Sequence, residues 1–345
     1  MNIRGKSFIF SAAGALILAA AFVSPTWGQN EGEVQNQNQV QNRIPNANQN
    51  AHPPQVGSVN FVEGQASIDG QPLTTNSVGS VNLEKGQTLT TQAGKVEVLL
   101  TPGVFLRVGD NSAVKMISPD LANTEAEVDK GEAMVEVTDI SKNNRIRIDE
   151  NGANAQLLKK GLYDFDVARN RIRVFSGKAE VYARNSSVGV GGDHQVNLDT
   201  GGKLKSQGFD SKQYADELYR WSGLRAGYLA EAGADQARLY VNGGPGWAGT
   251  GWYWDPWLGS YTFIPGDGIF YSPFGWGFYS PFAVWGSPYF YGGYYGGIYG
   301  RPHSFGEFHE PYGHGFEPQG GFHGGFGGGF HGGGGGFHGG GGGRR

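Results

Sequence analysis

Asp164 and Asp166 stand two residues apart, as do Glu125, Glu127 and Asp129, so each set falls on one face if its segment is a strand. Paired carboxylates can do acid and base work or bind calcium. The same spacing is what a solvated polar strand face produces, and that is the reading adopted for both sets. His194 is the only histidine between residues 56 and 200 and lies in a Gly-Gly-Asp-His turn. It reads as a surface turn residue rather than a general base. No Gly-x-Ser-x-Gly elbow is present, and Gly189-Val-Gly191 has no strand-to-helix context that would make it a dinucleotide loop. The chain has no cysteine, which excludes disulfides, a thiol nucleophile, thiolate zinc sites and lipid attachment through an N-terminal thioether. Six of the eight histidines, His303, His309, His314, His323, His331 and His338, fall near the C-terminus. Imidazoles bind zinc, copper or nickel, but no short His-x-x-x-His spacing fixes a geometry. No metal site is therefore assigned to His323, His331 or His338, no cofactor is implied, and no enzymatic activity is expected.

The aromatic side chains are more informative. Residues 243–300 are built from Gly, Pro and aromatics, as in Gly251-Trp-Tyr-Trp-Asp-Pro-Trp257 and the paired Phe270-Tyr-Ser-Pro-Phe274 and Phe278-Tyr-Ser-Pro-Phe282. Such residues left in water mark an interaction surface. Trp252, Trp254, Trp257, Tyr271 and Trp276 are the candidate binding residues. Their partners would be sugar rings, an envelope or lipid interface, another copy of the chain, or the chain's own β-region. No Lys or Arg lies between Arg238 and Arg301, so phosphates would go unneutralised and nucleic acid is not an expected partner. The net charge of −4 agrees, since it supplies no basic field.

These residues must be positioned by the stretch from residue 56 to 200, which repeats apolar alternation, a glycine, and apolar alternation again. Val128-Asp-Lys-Gly-Glu-Ala-Met-Val-Glu-Val137 is one copy; others centre on Gly161, Gly177 and Gly192. Alternation of this kind marks a strand with one buried and one wet face, and each copy reads as strand, glycine turn, strand. Further turns are signalled at Asp69-Gly70, Thr101-Pro-Gly103, Asn151-Gly152 and Arg169-Asn170. The fold class expected is all-β, a long antiparallel array arranged as a β-solenoid-like or sandwich stack.

On either side the composition changes. Arg4 and Lys6 precede an apolar run from Phe8 to Val23 and small residues before Gln29, so residues 1–28 read as a secretory signal peptide, with an uncleaved anchor as the alternative. No later run is apolar and long enough to span a bilayer, so the mature chain is expected to act outside the cytoplasm, periplasmic or secreted. Residues 29–55 are Gln/Asn-rich and read as a disordered linker. Between residues 209 and 233, Tyr214, Leu218, Trp221, Leu224, Tyr228 and Leu229 recur at helical spacing, with Asp210-Ser211 as the expected cap and Gly233 as the stop. This amphipathic helix is expected to cover an edge or end of the β-region. Gly and Pro then make residues 243–300 loop-like, and residues 301–345 a disordered Gly/His/Phe tail.

Several of these segments resemble the FecR domain: Gly57-Ser-Val-Asn-Phe-Val-Glu-Gly64, Gly86-Gln-Thr-Leu89 with Val96-Glu-Val-Leu-Leu-Thr-Pro-Gly103, Gly131-Glu-Ala-Met-Val-Glu-Val137, and Arg173-Val-Phe-Ser-Gly-Lys-Ala-Glu-Val181. The resemblance implies a periplasmic all-β sensing or interaction module. Its well-known members reach a cytoplasmic sigma factor through a cytoplasmic segment and a membrane span, which this N-terminus does not resemble, so only the extracytoplasmic module is carried over. The expected function is a non-enzymatic binding or scaffolding protein of the bacterial envelope. A cell-wall or polysaccharide-binding accessory protein is the first alternative, and a signalling component of an uptake system the next. The partners expected are an envelope protein or glycan, with self-association as a further option.

Overall fold

A computed structural model describes residues 53–183, 186–199, 203–242 and 246–287. The signal peptide, nearly all of the Gln/Asn-rich linker and the His-rich tail lie outside the described residues. Strand β1 (Val59–Ile68) forms a hairpin with the two-residue β2 (Gln71–Pro72) and pairs antiparallel along most of β3 (Thr88–Leu99). The long β3 bends: its first residues, Thr88–Thr90, pair with β5 (Ala113–Pro119), and Val96–Leu99 pair with β4 (Val104–Val108). It is therefore the hinge between two halves of one sheet. The first half continues from β5 through β6 (Asn123–Lys130), β8 (Arg145–Glu150), β9 (Ala153–Leu157), β12 (Lys178–Ala183) and β13 (Ser186–Gly191). The second continues from β4 through β7 (Glu132–Val137), β10 (Gly161–Asp166), β11 (Arg171–Ser176), β14 (His194–Asn197) and β15 (Ser206–Gly208). The outer strand β13 comes back beside β14 and β15, so the sheet nearly closes on itself.

The apolar positions of both halves meet in one core. Val114, Ala126, Ile148, Ala155 and Val181 come from the first; Val98, Leu106, Val135, Phe165 and Val174 from the second, all fully buried. The all-β reading holds, in its sandwich-like form. One pair is not antiparallel: β6 and β8 run parallel, because the chain leaves the first half for β7 and returns before adding β8.

The repeated glycine has a different job from the one its pattern suggests. Strands before and after Gly131, Gly161, Gly177 and Gly192 never pair with each other; at each of these points the chain crosses from one half to the other. The hairpins fall between the crossings, for instance at Asn151-Gly152 and Asn170. Gly177 shows why glycine is needed at such a corner: its φ is +96°, and a Cβ there would come 2.4 Å from the Tyr163 hydroxyl.

The helix α1 spans Glu217–Leu239, later than residues 209–233. Asp216, not Asp210, caps it, its carboxylate accepting from the Tyr219 N–H at 2.9 Å, while Asp210 caps only a short 3-10 turn over Ser211–Tyr214. Gly233 does not stop α1, because it is the place where a neighbouring strand comes close: a Cβ there would meet the Thr262 hydroxyl at 2.9 Å.

Residues 246–287 are not simply loop. They form two short antiparallel hairpins, β16 (Gly251–Asp255) with β17 (Ser260–Ile264), and β18 (Ile269–Tyr271) with β19 (Gly277–Tyr279). Both pack on α1, and together with it they cover the outer face of the second half of the sheet.

Candidate functional site

That outer face alternates with the core face and so carries Glu97 and Leu99 of β3, Phe105 and Arg107 of β4, Met134 and Glu136 of β7, and Leu162, Asp164 and Asp166 of β10. In an uncovered sheet these would face water. Here they are buried, and the charged ones are paired. Arg107 donates from Nε to Glu97 at 2.9 Å and from its terminal nitrogen to Glu136 at 2.5 Å. Arg225, on α1, adds a bond to Glu97 at 2.9 Å. Glu97 also accepts from the Asn60 side chain at 2.9 Å. Burial alone would raise the Glu97 pKa, but Arg225 and Arg107 override it and hold the carboxyl below its usual range.

Asn60 is the fastening of the extension. Its amide donates to the Tyr261 carbonyl at 2.9 Å and accepts from the Tyr261 N–H at 2.7 Å, as a neighbouring strand would. One polar network thus joins β1, β3, β4, β7, α1 and β17. The solvated-face reading of Asp164 and Asp166 is overturned: both are buried, and both bind the buried Arg173 guanidinium. The other set keeps contact with water, with Asp129 exposed and Glu125 and Glu127 half-buried. His194 is exposed, its ring bonded only to the Gly192 carbonyl at 2.8 Å. Among the described residues no group of three or more His, Asp or Glu is arranged to hold a metal ion.

The five aromatic candidates divide by position. Trp252 packs edge-on against Phe105 at 4.9 Å and Trp254 against Tyr261 at 5.0 Å, so both rings help seat the extension on the sheet. Trp276 lies over α1, its indole N–H donating to the Gly223 carbonyl at 3.1 Å and its ring filling the space a Cβ on Gly227 would need. The two helical glycines, which lower helix propensity, are there to admit Phe274 and Trp276. Trp257 and Tyr271 remain free, at 72% and 58% exposed. Two further aromatic rings not among the candidates are more than half exposed: Phe282, the last residue of the second Phe-Tyr-Ser-Pro-Phe copy, and Trp285. Beside this surface runs an open groove of about 500 Å³, lined by Trp252, Tyr253, Trp254 and Tyr261 on one side and Pro53 and Pro54 on the other. No lining residue carries a charge at neutral pH.

Residues 87–180 match the family model for FecR protein. The chain carries a FecR-family region. The match runs from the start of β3 through β12, so β1, which lies along β3, α1 and the extension fall outside it. Two crystal structures of a "putative anti-sigma factor from Parabacteroides distasonis ATCC 8503" are similar to the chain. One is 15% identical with a TM-score of 0.32, covering 41% of this chain and 65% of its own. The other is 16% identical with a TM-score of 0.32, covering 40% and 63%. The chain thus spans less than two thirds of either. No curated protein matches it.

Proposed function

We propose that this protein is a non-enzymatic, extracytoplasmic binding and scaffolding module of the bacterial envelope, in which the FecR-like sheet is the platform and the aromatic C-terminal extension makes the contact. The observation that carries this reading is the contrast between the two. Among the described residues the outer charges of the sheet's second half are sequestered under α1 and the extension, whereas Trp257, Ile269, Tyr271, Phe282 and Trp285, all in the extension, are exposed. Large apolar side chains held in water on an ordered hairpin framework suit a docking surface. No helix among the described residues is long and apolar enough to cross a membrane. Envelope attachment would therefore come through such contacts or through the N-terminal segment. The partner favoured is an envelope protein, and a signalling role in an uptake system would use the same surface.

The test is retention of the purified protein on detergent-solubilised envelope fractions. Replacing Trp257, Tyr271, Phe282 and Trp285 together by Ser is expected to abolish retention while leaving the circular dichroism spectrum unchanged. Full retention by that variant would contradict the proposal. The uncharged, aromatic groove favours a second reading, a neutral glycan stacked on Trp252 and Trp254. Retention on insoluble cell-wall polysaccharide that survives the four surface replacements would support that reading instead.

A further inference from the structure

At the N-terminal end of α1 the outer face holds more acid than base. Glu132 of β7, Asp164 and Asp166 of β10 and the helix cap Asp216 gather around Arg173 of β11 and Arg169 of the turn after β10, four carboxyls against two guanidinium groups. Arg173 donates to Asp164 and, at 3.0 Å, to Asp166, and stands 3.8 Å from Glu132. Arg169 takes Asp166 at 2.7 Å, and the Tyr214 ring lies 4.9 Å under the Arg173 guanidinium. The adjoining Lys95 is shared by two carboxylates, Glu217 at 2.7 Å and Asp110 at 3.0 Å, and so lends no cation. With Asp164 and Asp166 buried and carboxyls outnumbering guanidinium groups, a proton held within the cluster relieves the like charge. The contacts show where one goes. The second oxygen of Asp164, Oδ1, is buried with no N–H donor, and Glu132 lies within hydrogen-bond reach of both Asp164 and Asp216.

We propose that Glu132, Asp164 and Asp216 form a proton-sharing latch that holds the first turns of α1 on the sheet and releases them as the surroundings turn alkaline. A protonated Glu132 donates its one proton to the Asp216 carboxylate, tying β7 to the residue that caps the helix. Loss of that proton leaves like charges facing each other across the β7–α1 contact. What the latch covers is apolar: Leu218 sits on Met134 and Leu162, with Phe175, Tyr219 and Trp221 around them, and the Ser222 hydroxyl is 3.8 Å from the Met134 sulfur. Release exposes this patch without unfolding the sandwich core. The titration supports the geometry: burial, then Asp164 and Asp216, pushes Glu132 up to about 9, and burial opposed by Arg173 leaves Asp164 at about 7.

Because the chain has no cysteine, one introduced thiol reports on one place. In the full-length protein, Ser222→Cys puts a thiol beneath the helix and Ala155→Cys puts one in the sandwich core, both at fully buried positions. Labelling rates are divided by the rate of a free cysteine peptide at the same pH. From about pH 6 to about pH 9.5 the normalised rate at Ser222→Cys is expected to rise by about tenfold or more, while that at Ala155→Cys stays flat. Glu132→Gln keeps a donor at every pH and is expected to abolish the rise. Asp216→Asn, which retains the cap, is expected to diminish it and decides the matter if Glu132→Gln does not fold. A flat rate at Ser222→Cys would overturn the latch. So would a rise that both replacements leave intact, or a parallel rise at Ala155→Cys.

Discussion

The two faces of the sheet's second half are made of the same strands, yet they are held by different physics. Toward the core, Val98, Leu106, Val135 and Phe165 present only hydrocarbon, and their burial is favourable wherever a close-packed partner surface exists. One residue along each strand, the outer face presents Glu97, Arg107, Glu136 and Asp164, whose burial is unfavourable unless each is paired in good geometry. The first face tolerates any apolar filling of about the right volume. The second accepts only a cover that places Arg225, Asp216 and the Tyr261 backbone correctly, and so it selects α1 and the extension specifically. Strength comes from the apolar face and choice of partner from the ionic one.

The largest effect that could break this contrast is the loss of Arg107. Arg107→Leu leaves Glu97 and Glu136 buried, the first with one of its two guanidinium partners and the second with none. It is expected to lower unfolding free energy by roughly 3–5 kcal/mol in urea titrations. A loss of less than about 1 kcal/mol would mean that the outer face is wetter than its burial shows. On the core face Leu106→Ala is expected to cost about 3 kcal/mol through the cavity it leaves, and to do so equally at pH 5.5 and pH 9.

Acidity separates the two faces further. Burial, with neighbouring carboxylates, pushes Glu132 up to about 9, and burial opposed by Arg173 pushes Asp164 to about 7, from ordinary values of 4.5 and 3.8. The folded chain therefore binds more protons than the unfolded chain between those limits. The stability these protons contribute is complete below about pH 4 and is lost as pH rises toward about 9. The thermal midpoint is expected to fall steadily from pH 5.5 to pH 9, and an increase over that range would contradict the protonated outer face. The smallest effect is expected at the free surface. Trp257 is mostly exposed, and Trp257→Ala is expected to change stability by less than about 0.5 kcal/mol.

The core face was legible because alternation reports it directly: Val96, Val98 and Leu100 could only share a face. The outer face was not, since Glu97, Arg107, Glu136, Asp164 and Asp166 at alternate positions look the same whether water or a helix lies over them. The cover arrives from more than fifty residues further on, and no local pattern announces it. Gly223 and Gly227 lower the local helix propensity, and their use is tertiary, to admit Phe274 and Trp276. The glycine corners were visible as glycines, but pairing decides whether a turn closes a hairpin or changes layers, and pairing is nonlocal. Of the aromatic candidates, composition identified the region, and packing then divided it into Trp252, Trp254 and Trp276, which seat the extension, and Trp257 and Tyr271, which do not.

If α1 and the extension are an integral cover of the ionic face, the whole described unit melts as one. Urea unfolding of the full chain followed at once by far-ultraviolet circular dichroism, which reports the sheet, and by tryptophan fluorescence, to which the extension contributes most of the rings, tests this most directly. The two curves are expected to superimpose with a single midpoint. A fluorescence transition that is complete before the sheet signal moves would show that the sheet stands without its cover, and would contradict the account.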